Sequence, residues 1–244
     1  MNHALATAAD HPRLPFPQAR IAASLRALGR VRRARARAAA DALVDCLDRF
    51  VTSGRVPLAA ALGDTATPQA WRQYQPGGAT AMDGRAGTLH FYYHAHRTPG
   101  ASPAEHGHFH VFAQLGAAAD ETPRYTHLVA IGVDARGMPQ RLFTTNRWVT
   151  DETWLPADRL IALAEKIAGE PAVGNDPVDA WLRAQLGVFA PQIAAVLRHR
   201  DRRMAMRQQG GHRPGLFEDR RMHVLSQCRI SVERQLTALD RVIH

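Results

Sequence analysis

The chain has 244 residues, 45% of them hydrophobic and 22% charged, which is an ordinary composition for a globular protein that can bury a sizeable core. It contains no apolar run of roughly 18 residues, and residues 1–10 lack the basic segment and apolar core of a signal peptide. A membrane-spanning helix is therefore excluded, and we expect a cytoplasmic protein with no membrane partner. The formal net charge is +9, and because Lys166 is the only lysine, arginine carries the positive charge.

The N-terminal part is predicted to consist of a flexible segment followed by one long helix. Residues 1–17 contain Pro12, Pro15 and Pro17, which block regular structure. Residues 18–54 are predicted to form the helix, and residues 18–244 a single α+β domain. A short helix and a glycine-rich loop follow over residues 55–87. The long helix has apolar side chains at helical spacing, namely Ile21, Leu25, Leu28, Ala39, Leu43, Cys46 and Phe50.

Two segments in the middle of the chain are rich in histidine and alternate strictly between apolar and polar side chains. This is the period of a β-strand, in which every second side chain lies on the same face. The polar face carries His90, Tyr92, His94 and His96 in the first segment, and His106, His108 and His110 in the second. The pattern therefore predicts two strands with one histidine-rich face.

A loop of turn-forming residues, 97–105, separates the two segments, so we predict an antiparallel hairpin. Side chains that lie directly opposite each other are about 4.5–5.5 Å apart at Cβ, close enough for three or four imidazoles to contact one ion. A register slip of two residues would preserve the faces and change the pairs, so that alternative stays open. The register that joins the apolar faces pairs His96 with His106, His94 with His108, and Tyr92 with His110.

Residues 126–133 and 140–145 are predicted to add two strands. They complete a small antiparallel sheet of about four strands over residues 86–148. His127 opens the third strand, and its parity relative to the histidine face stays undetermined. Residues 156–244 are predicted to be helical, ending in a long helix from about Leu216 whose apolar stripe includes Met222, Leu225 and Cys228.

The predicted fold class is α+β, with a small antiparallel sheet flanked by N- and C-terminal helices. The apolar stripe of the last helix is compatible with a core or with the seam of a homo-oligomer. Cys46 and Cys228 lie in segments predicted to be helical, and we expect both to be reduced core residues.

The histidine face predicts a metal site. Neutral imidazole is the commonest metal ligand in proteins, and three such ligands with one open position are typical of a catalytic rather than a structural centre. We expect one divalent transition metal, Zn or Fe, bound by His94, His96 and His108. His106 or His110 would supply a further ligand. An all-nitrogen set does not separate the two metals, whereas Glu105 as a ligand would favour iron.

Residues 144–152 leave the fourth strand and enter the next helix, a usual place for functional side chains. Arg147 could clamp a carboxylate or phosphate of a small-molecule substrate, and Asn146 could orient a water or an oxyanion. The candidate catalytic residues are Glu105, Arg147 and Glu152, and the candidate substrate-binding residues are Tyr92, Asn146 and Arg147. The simpler explanation is that Trp148 packs, Arg147 pairs with an acid, and Thr150 or Asp151 caps a helix.

The segment from His106 to Phe112 resembles the signature of the histidine-triad nucleotide hydrolases and transferases, in which histidines alternate with apolar residues. That resemblance implies an alternative function in which His108 attacks a nucleotide phosphorus without a metal, although Gly107 departs from the apolar pattern. His94-Ala95-His96 with a third histidine, His108 or His127, is similar to the zinc ligand pattern of the α-class carbonic anhydrases. Residues 91–148 as a whole resemble an uncharacterised bacterial family, which implies no activity.

Two arginine clusters raise the further alternative of a nucleic-acid partner, since phosphate contacts drive nonspecific affinity. Against it, the first cluster is spread around its helix, and both clusters lack aromatic residues for base stacking. A solvated surface or one that binds an acidic partner is the favoured interpretation. The clusters are Arg30, Arg32, Arg33, Arg35 and Arg37, and Arg198, Arg200, Arg202, Arg203 and Arg207.

Overall fold

The computed structural model describes residues 13–14, 18–63, 68–70, 72–74, 87–116, 124–172, 174, 176–209 and 215–243. The predicted flexible segment, 1–17, lies almost wholly outside the described residues. The strands are β1 Arg13–Leu14, β2 Gln73–Tyr74, β3 Leu89–His94, β4 Gly107–Leu115, β5 Arg124–Val133, β6 Pro139–Thr145 and β7 Val224–Arg229. The helices are α1 Gln18–Arg26, α2 Arg30–Thr52, α3 Pro57–Leu62, α4 Arg147–Thr150, α5 Ala157–Ala168, α6 Pro177–Val188, α7 Ala190–Gln209 and α8 Val232–Ile243.

The α+β class is confirmed, but the predicted number of strands is too low. The described residues form one open sheet in the order β1-β7-β6-β5-β4-β3-β2. Six of these strands are antiparallel, and the two-residue β1 runs parallel to β7. The prediction missed β2 because two residues carry no periodic signal, and it missed β7 because that strand lies in a segment expected to be helical.

Two of the predicted helices are wrong in detail. The last helix does not begin near Leu216, because residues 224–229 form β7 and α8 begins only at Val232. Residues 224–228 are buried throughout, so this strand shows no polar and apolar alternation, and its spacing resembled a helical stripe. The N-terminal helix is divided into α1 and α2, and Gly29 is the N-cap of the second helix.

One face of the sheet packs against the helices and forms the main core. Phe109 of β4 contacts Trp181 of α6, with ring centroids 5.6 Å apart, and both side chains are fully buried. Leu43 of α2 and Leu160 of α5 belong to the same cluster. Burial of a large apolar side chain contributes about 1.5–3 kcal/mol, so this layer stabilises the apolar face and leaves the opposite, histidine-bearing face for other contacts.

Several arginines of the predicted clusters contribute to the fold. Arg200 is 1% exposed, lies 4.0 Å from the ring centroid of Trp154 and donates to the carbonyl of Leu155. Arg203 donates to the carbonyls of Val224 and Leu225 at 3.3 and 3.2 Å. These contacts give part of the second cluster a structural role. A nucleic-acid partner stays a prediction.

No single helix among the described residues is long and apolar enough to cross a membrane. Only α6 and α7 taken together reach the required length and composition, and their axes meet at 75°. Cys46 and Cys228 are both buried and free.

Candidate metal centre

Three of the predicted histidine ligands converge on the face of the sheet that is opposite the helices. The hairpin of β3 and β4 has the predicted register, with His94 opposite His108 and Tyr92 opposite His110. One ring nitrogen from each of His94, His108 and His110 lies within 4.8 Å of the other two. The chain therefore forms a group of three imidazoles that could hold a metal ion.

Several ring nitrogens of this group lack partners among the described residues. Nε2 of His94 and both ring nitrogens of His108 are buried and have no hydrogen-bond partner among the described residues. A buried polar group without a partner costs about 1–3 kcal/mol, a cost that coordination to a metal would relieve. Burial lowers the pKa of His94 to about 4 and holds the pKa values of His108 and His110 well below their ordinary value, which keeps the imidazoles neutral at pH 7. These residues fit a divalent transition metal.

His110 has a buried neighbour, His127, whose face the sequence left undetermined. Its Nδ1 lies 3.1 Å from Nε2 of His127, and both rings are buried. The register of β4 and β5 shifts at a bulge between Val111 and Phe112, so that Phe112 pairs with His127. This pairing places the side chain of His127 on the histidine face.

The other two predicted ligands are placed differently. His96 follows the end of β3, and its ring lies 5.3 Å from that of His94 and 4.9 Å from that of His108, so it borders the group of three. His106 precedes β4, and its Nδ1 lies 2.6 Å from the hydroxyl of Tyr93, whose ring belongs to the helix-facing core. The structure thus brings His110, rather than His106, together with His94 and His108.

Gly107 explains the departure from the histidine-triad pattern. A Cβ at this position would lie 2.2 Å from the hydroxyl oxygen of Tyr93 and 2.2 Å from the carbonyl oxygen of His94. Only glycine leaves room for Tyr93 to reach His106. The apolar side chain that the histidine-triad pattern requires at position 107 therefore does not fit this hairpin.

Glu105, a predicted catalytic residue and possible ligand, is engaged elsewhere. Both of its carboxylate oxygens accept hydrogen bonds from Arg141, at 2.6 and 2.9 Å, and both side chains are buried. The carboxylate lies directly over Gly132, where a Cβ would be 2.6 Å from Cδ of Glu105. Because the guanidinium occupies both oxygens, this geometry offers Arg141 rather than a metal as the partner of Glu105.

Glu152, predicted to act as a base, lies at the bulge of β5. Its Oε2 accepts hydrogen bonds from the backbone N–H of His127 at 2.7 Å and from the hydroxyl of Thr126 at 3.3 Å. Burial raises its pKa to about 7, against the opposing effects of its hydrogen bonds and of Arg200. The carboxylate thus supports the strand that carries His127, and its role as a base stays a prediction.

Of the predicted substrate-binding residues, Tyr92 lies beside the cluster. Its ring centroid is 4.9 Å from that of His94 and 5.2 Å from that of His110. Asn146 caps α4 through the backbone N–H of Arg147 and donates to the carbonyl of Leu216 at 3.0 Å. Arg147 pairs with Glu218. The ion pair of Arg147 matches the simpler structural explanation, whereas that explanation gave the helix cap to Thr150 or Asp151 and not to Asn146. The part of Asn146 and Arg147 in binding a substrate stays a prediction.

The sequence was compared with known proteins and families. No curated protein and no solved structure matches it. Residues 37–230, from within α2 to just beyond β7, match the model of a domain of unknown function, DUF6969. This match includes every strand from β2 to β7 and all the histidines of the cluster. It confirms the expected resemblance to an uncharacterised family. The chain therefore belongs to the DUF6969 family.

Proposed function

We propose that this protein binds one divalent transition metal through His94, His108 and His110, and that it is a metal-dependent enzyme acting on a small polar substrate. The observation that carries the proposal is the convergence of three neutral imidazoles, two buried and that of His94 half-buried; ring nitrogens of His94 and His108 have no hydrogen-bond partner among the described residues. The neutral imidazole is the form in which histidine binds a metal.

The number and burial of the ligands support a catalytic centre rather than a structural one. Structural zinc sites are closed by four protein ligands, whereas catalytic sites keep one position open. His94, His96 and Tyr92 are only partly buried, so the cluster is not sealed on the side of β3. A small polar substrate that reaches this side would meet the phenol of Tyr92 and the ring of His96.

The ligand set supports zinc over iron. Non-haem iron sites of the oxygenase type combine two histidines with one carboxylate. The engagement of Glu105 with Arg141 removes the carboxylate that would complete such a set. When bound, a zinc ion would supply Lewis acidity and lower the pKa of a bound water to about 7, which is the chemistry of a hydrolase.

The test is elemental analysis of the purified, untagged protein beside two variants. We expect about one zinc per chain in the wild type and almost none in His94→Ala/His108→Ala. His90→Ala is the matched control, because His90 is a half-buried histidine of the same strand whose Nε2 is bonded to Gln114, and it should keep the metal. A wild-type protein that is metal-free and takes up neither zinc, iron, copper nor nickel would refute the proposal.

A further inference from the structure

The pair formed by His110 and His127 has a defined chemistry. The distance of 3.1 Å between Nδ1 of His110 and Nε2 of His127 is that of a hydrogen bond. In such a pair, one nitrogen carries the hydrogen and the other offers its lone pair. Both rings are 2% exposed. The proton therefore lies on one of the two nitrogens, and its position determines what His110 can do with its other nitrogen.

The fold holds His127 in place from behind. The register shift between Val111 and Phe112 leaves Leu128 as the extra residue of β5. This bulge turns the side chain of His127 towards His110. Bulges disrupt the ladder of backbone hydrogen bonds. Here the carboxylate of Glu152 accepts a hydrogen bond from the backbone N–H of His127 at 2.7 Å, so a buried side chain holds the backbone of β5 at the bulge.

The far side of the His127 ring is compatible with a hydrogen on Nδ1. Its Nδ1 lies 3.4 Å from the hydroxyl of Thr145, which can accept a hydrogen bond. If Nδ1 of His127 carries the hydrogen, its Nε2 is the acceptor, and Nδ1 of His110 must be the donor. Nε2 of His110 is then free of hydrogen and able to bind a metal. The reverse arrangement would put the hydrogen of His110 on Nε2 and prevent coordination through that atom.

We propose that His127 is a positioning residue of the metal centre: it accepts the hydrogen bond of Nδ1–H of His110 and so presents Nε2 of His110 to the ion. The inference depends on the proposed function, since it assumes that His110 is a ligand. Histidine ligands of metal sites donate their second N–H to a fixed acceptor, and loss of that acceptor typically weakens metal affinity by about 10–100-fold. Neither His94 nor His108 has a hydrogen-bonded buried imidazole neighbour of this kind within the described part of the chain.

The test measures zinc affinity by chelator competition, and the coordination shell by cobalt(II) absorption and X-ray absorption spectroscopy. We expect His127→Leu to bind one ion about 10–100-fold more weakly than the wild type, with the same number of imidazole ligands. His127→Gln should stay within a few-fold of the wild type, because the glutamine Oε1 can accept the same hydrogen bond. His90→Gln, which alters a histidine of the same face outside the pair, should not change the affinity.

Two results would overturn the inference while leaving the metal site intact. The first is a zinc affinity of His127→Leu within about twofold of the wild type, less than the tenfold lower bound for such partners. The second is the loss of one imidazole from the coordination shell, which would make His127 a ligand. A wild type without metal would instead refute the proposed function, and with it this inference.

Thermal unfolding of the metal-free proteins checks that the variants fold. If His127→Leu does not fold, Thr145→Val carries the test, because it removes the acceptor at Nδ1 of His127 at nearly constant volume. We expect Thr145→Val to bind zinc several-fold more weakly than the wild type, and an unchanged affinity would overturn the inference.

Discussion

Glu105 and Arg141 form a buried ion pair that holds the loop of the histidine hairpin onto the sheet. The guanidinium contacts both carboxylate oxygens of Glu105 and also donates to the hydroxyl of Thr98, the carbonyl of Pro99 and the side chain of Gln227. The loop between β3 and β4 is thereby joined to β6 and β7. The ion pair thus fixes the loop that connects the two histidine-bearing strands.

We expect Arg141→Met to destabilise the protein by about 3–5 kcal/mol, because it leaves the carboxylate of Glu105 buried and without its counter-ion. Urea unfolding measures this change. Arg37→Met is the control, since Arg37 pairs with Asp41 on the surface and its loss should cost less than about 1 kcal/mol. Equal effects of the two substitutions would contradict a special role for the buried pair.

Glu152 provides a second test of how the histidine face is supported. Glu152→Leu leaves the backbone N–H of His127 buried without an acceptor, and we expect a loss of about 1–3 kcal/mol in the free energy of unfolding. Glu152→Gln keeps an acceptor oxygen, so its free energy of unfolding at pH 7 should fall by clearly less than that of Glu152→Leu. Urea unfolding of both variants checks this ordering, and a leucine variant as stable as the glutamine variant would show that the bulge does not need the acceptor.

The stability of the metal-free protein should fall as the pH is lowered from about 7 towards 4. Burial lowers the pKa of His94 to about 4 and that of His127 to about 3, against 6.5 for the unfolded chain. In this window the unfolded state binds more protons than the folded state, so each such histidine contributes a slope of up to about 1.4 kcal/mol per pH unit.

Glu152 acts in the opposite direction between pH 4.5 and about 7, because its raised pKa makes the folded state bind the extra proton. Burial also raises the pKa values of Glu105 and Asp176, but the histidines outnumber these three carboxyl groups, since burial also lowers the pKa values of His108 and His110. Urea unfolding at several pH values should therefore show a net loss of stability in acid, and His94→Gln should reduce the slope. A stability that rises on acidification would show that the imidazoles are not held neutral.

Removal of the metal separates the proposed enzyme from the histidine-triad alternative. Zinc at about 100 times its dissociation constant should stabilise the folded protein by about 2.7 kcal/mol, and EDTA should abolish this gain. His94→Ala/His108→Ala should respond to neither zinc nor EDTA. Nucleotide hydrolysis that persists in EDTA and is lost in His108→Ala would instead favour His108 as a nucleophile.

The sequence by itself determined the β3–β4 hairpin and which side chains share each of its faces. Strict alternation over residues 89–94 and 107–111 sends Phe91, Tyr93, Phe109 and Val111 to one core, because a one-residue slip would exchange the two faces. The collection of the histidines on one face follows from this local period, whereas the choice between registers that differ by two residues, and with it the pairing of His94 with His108, was decided by the folded hairpin.

Only the tertiary structure decided which other residues surround that site. The bulge that turns His127 inward depends on one extra residue in β5, which leaves no mark in the pattern of side chains. Arg141 is distant from Glu105 in the chain, and the start of β4 directs His106 to Tyr93 rather than to His94, His108 and His110. The side-chain period is a local property that can be read along the chain, whereas partners joined across strands exist only after the chain has folded.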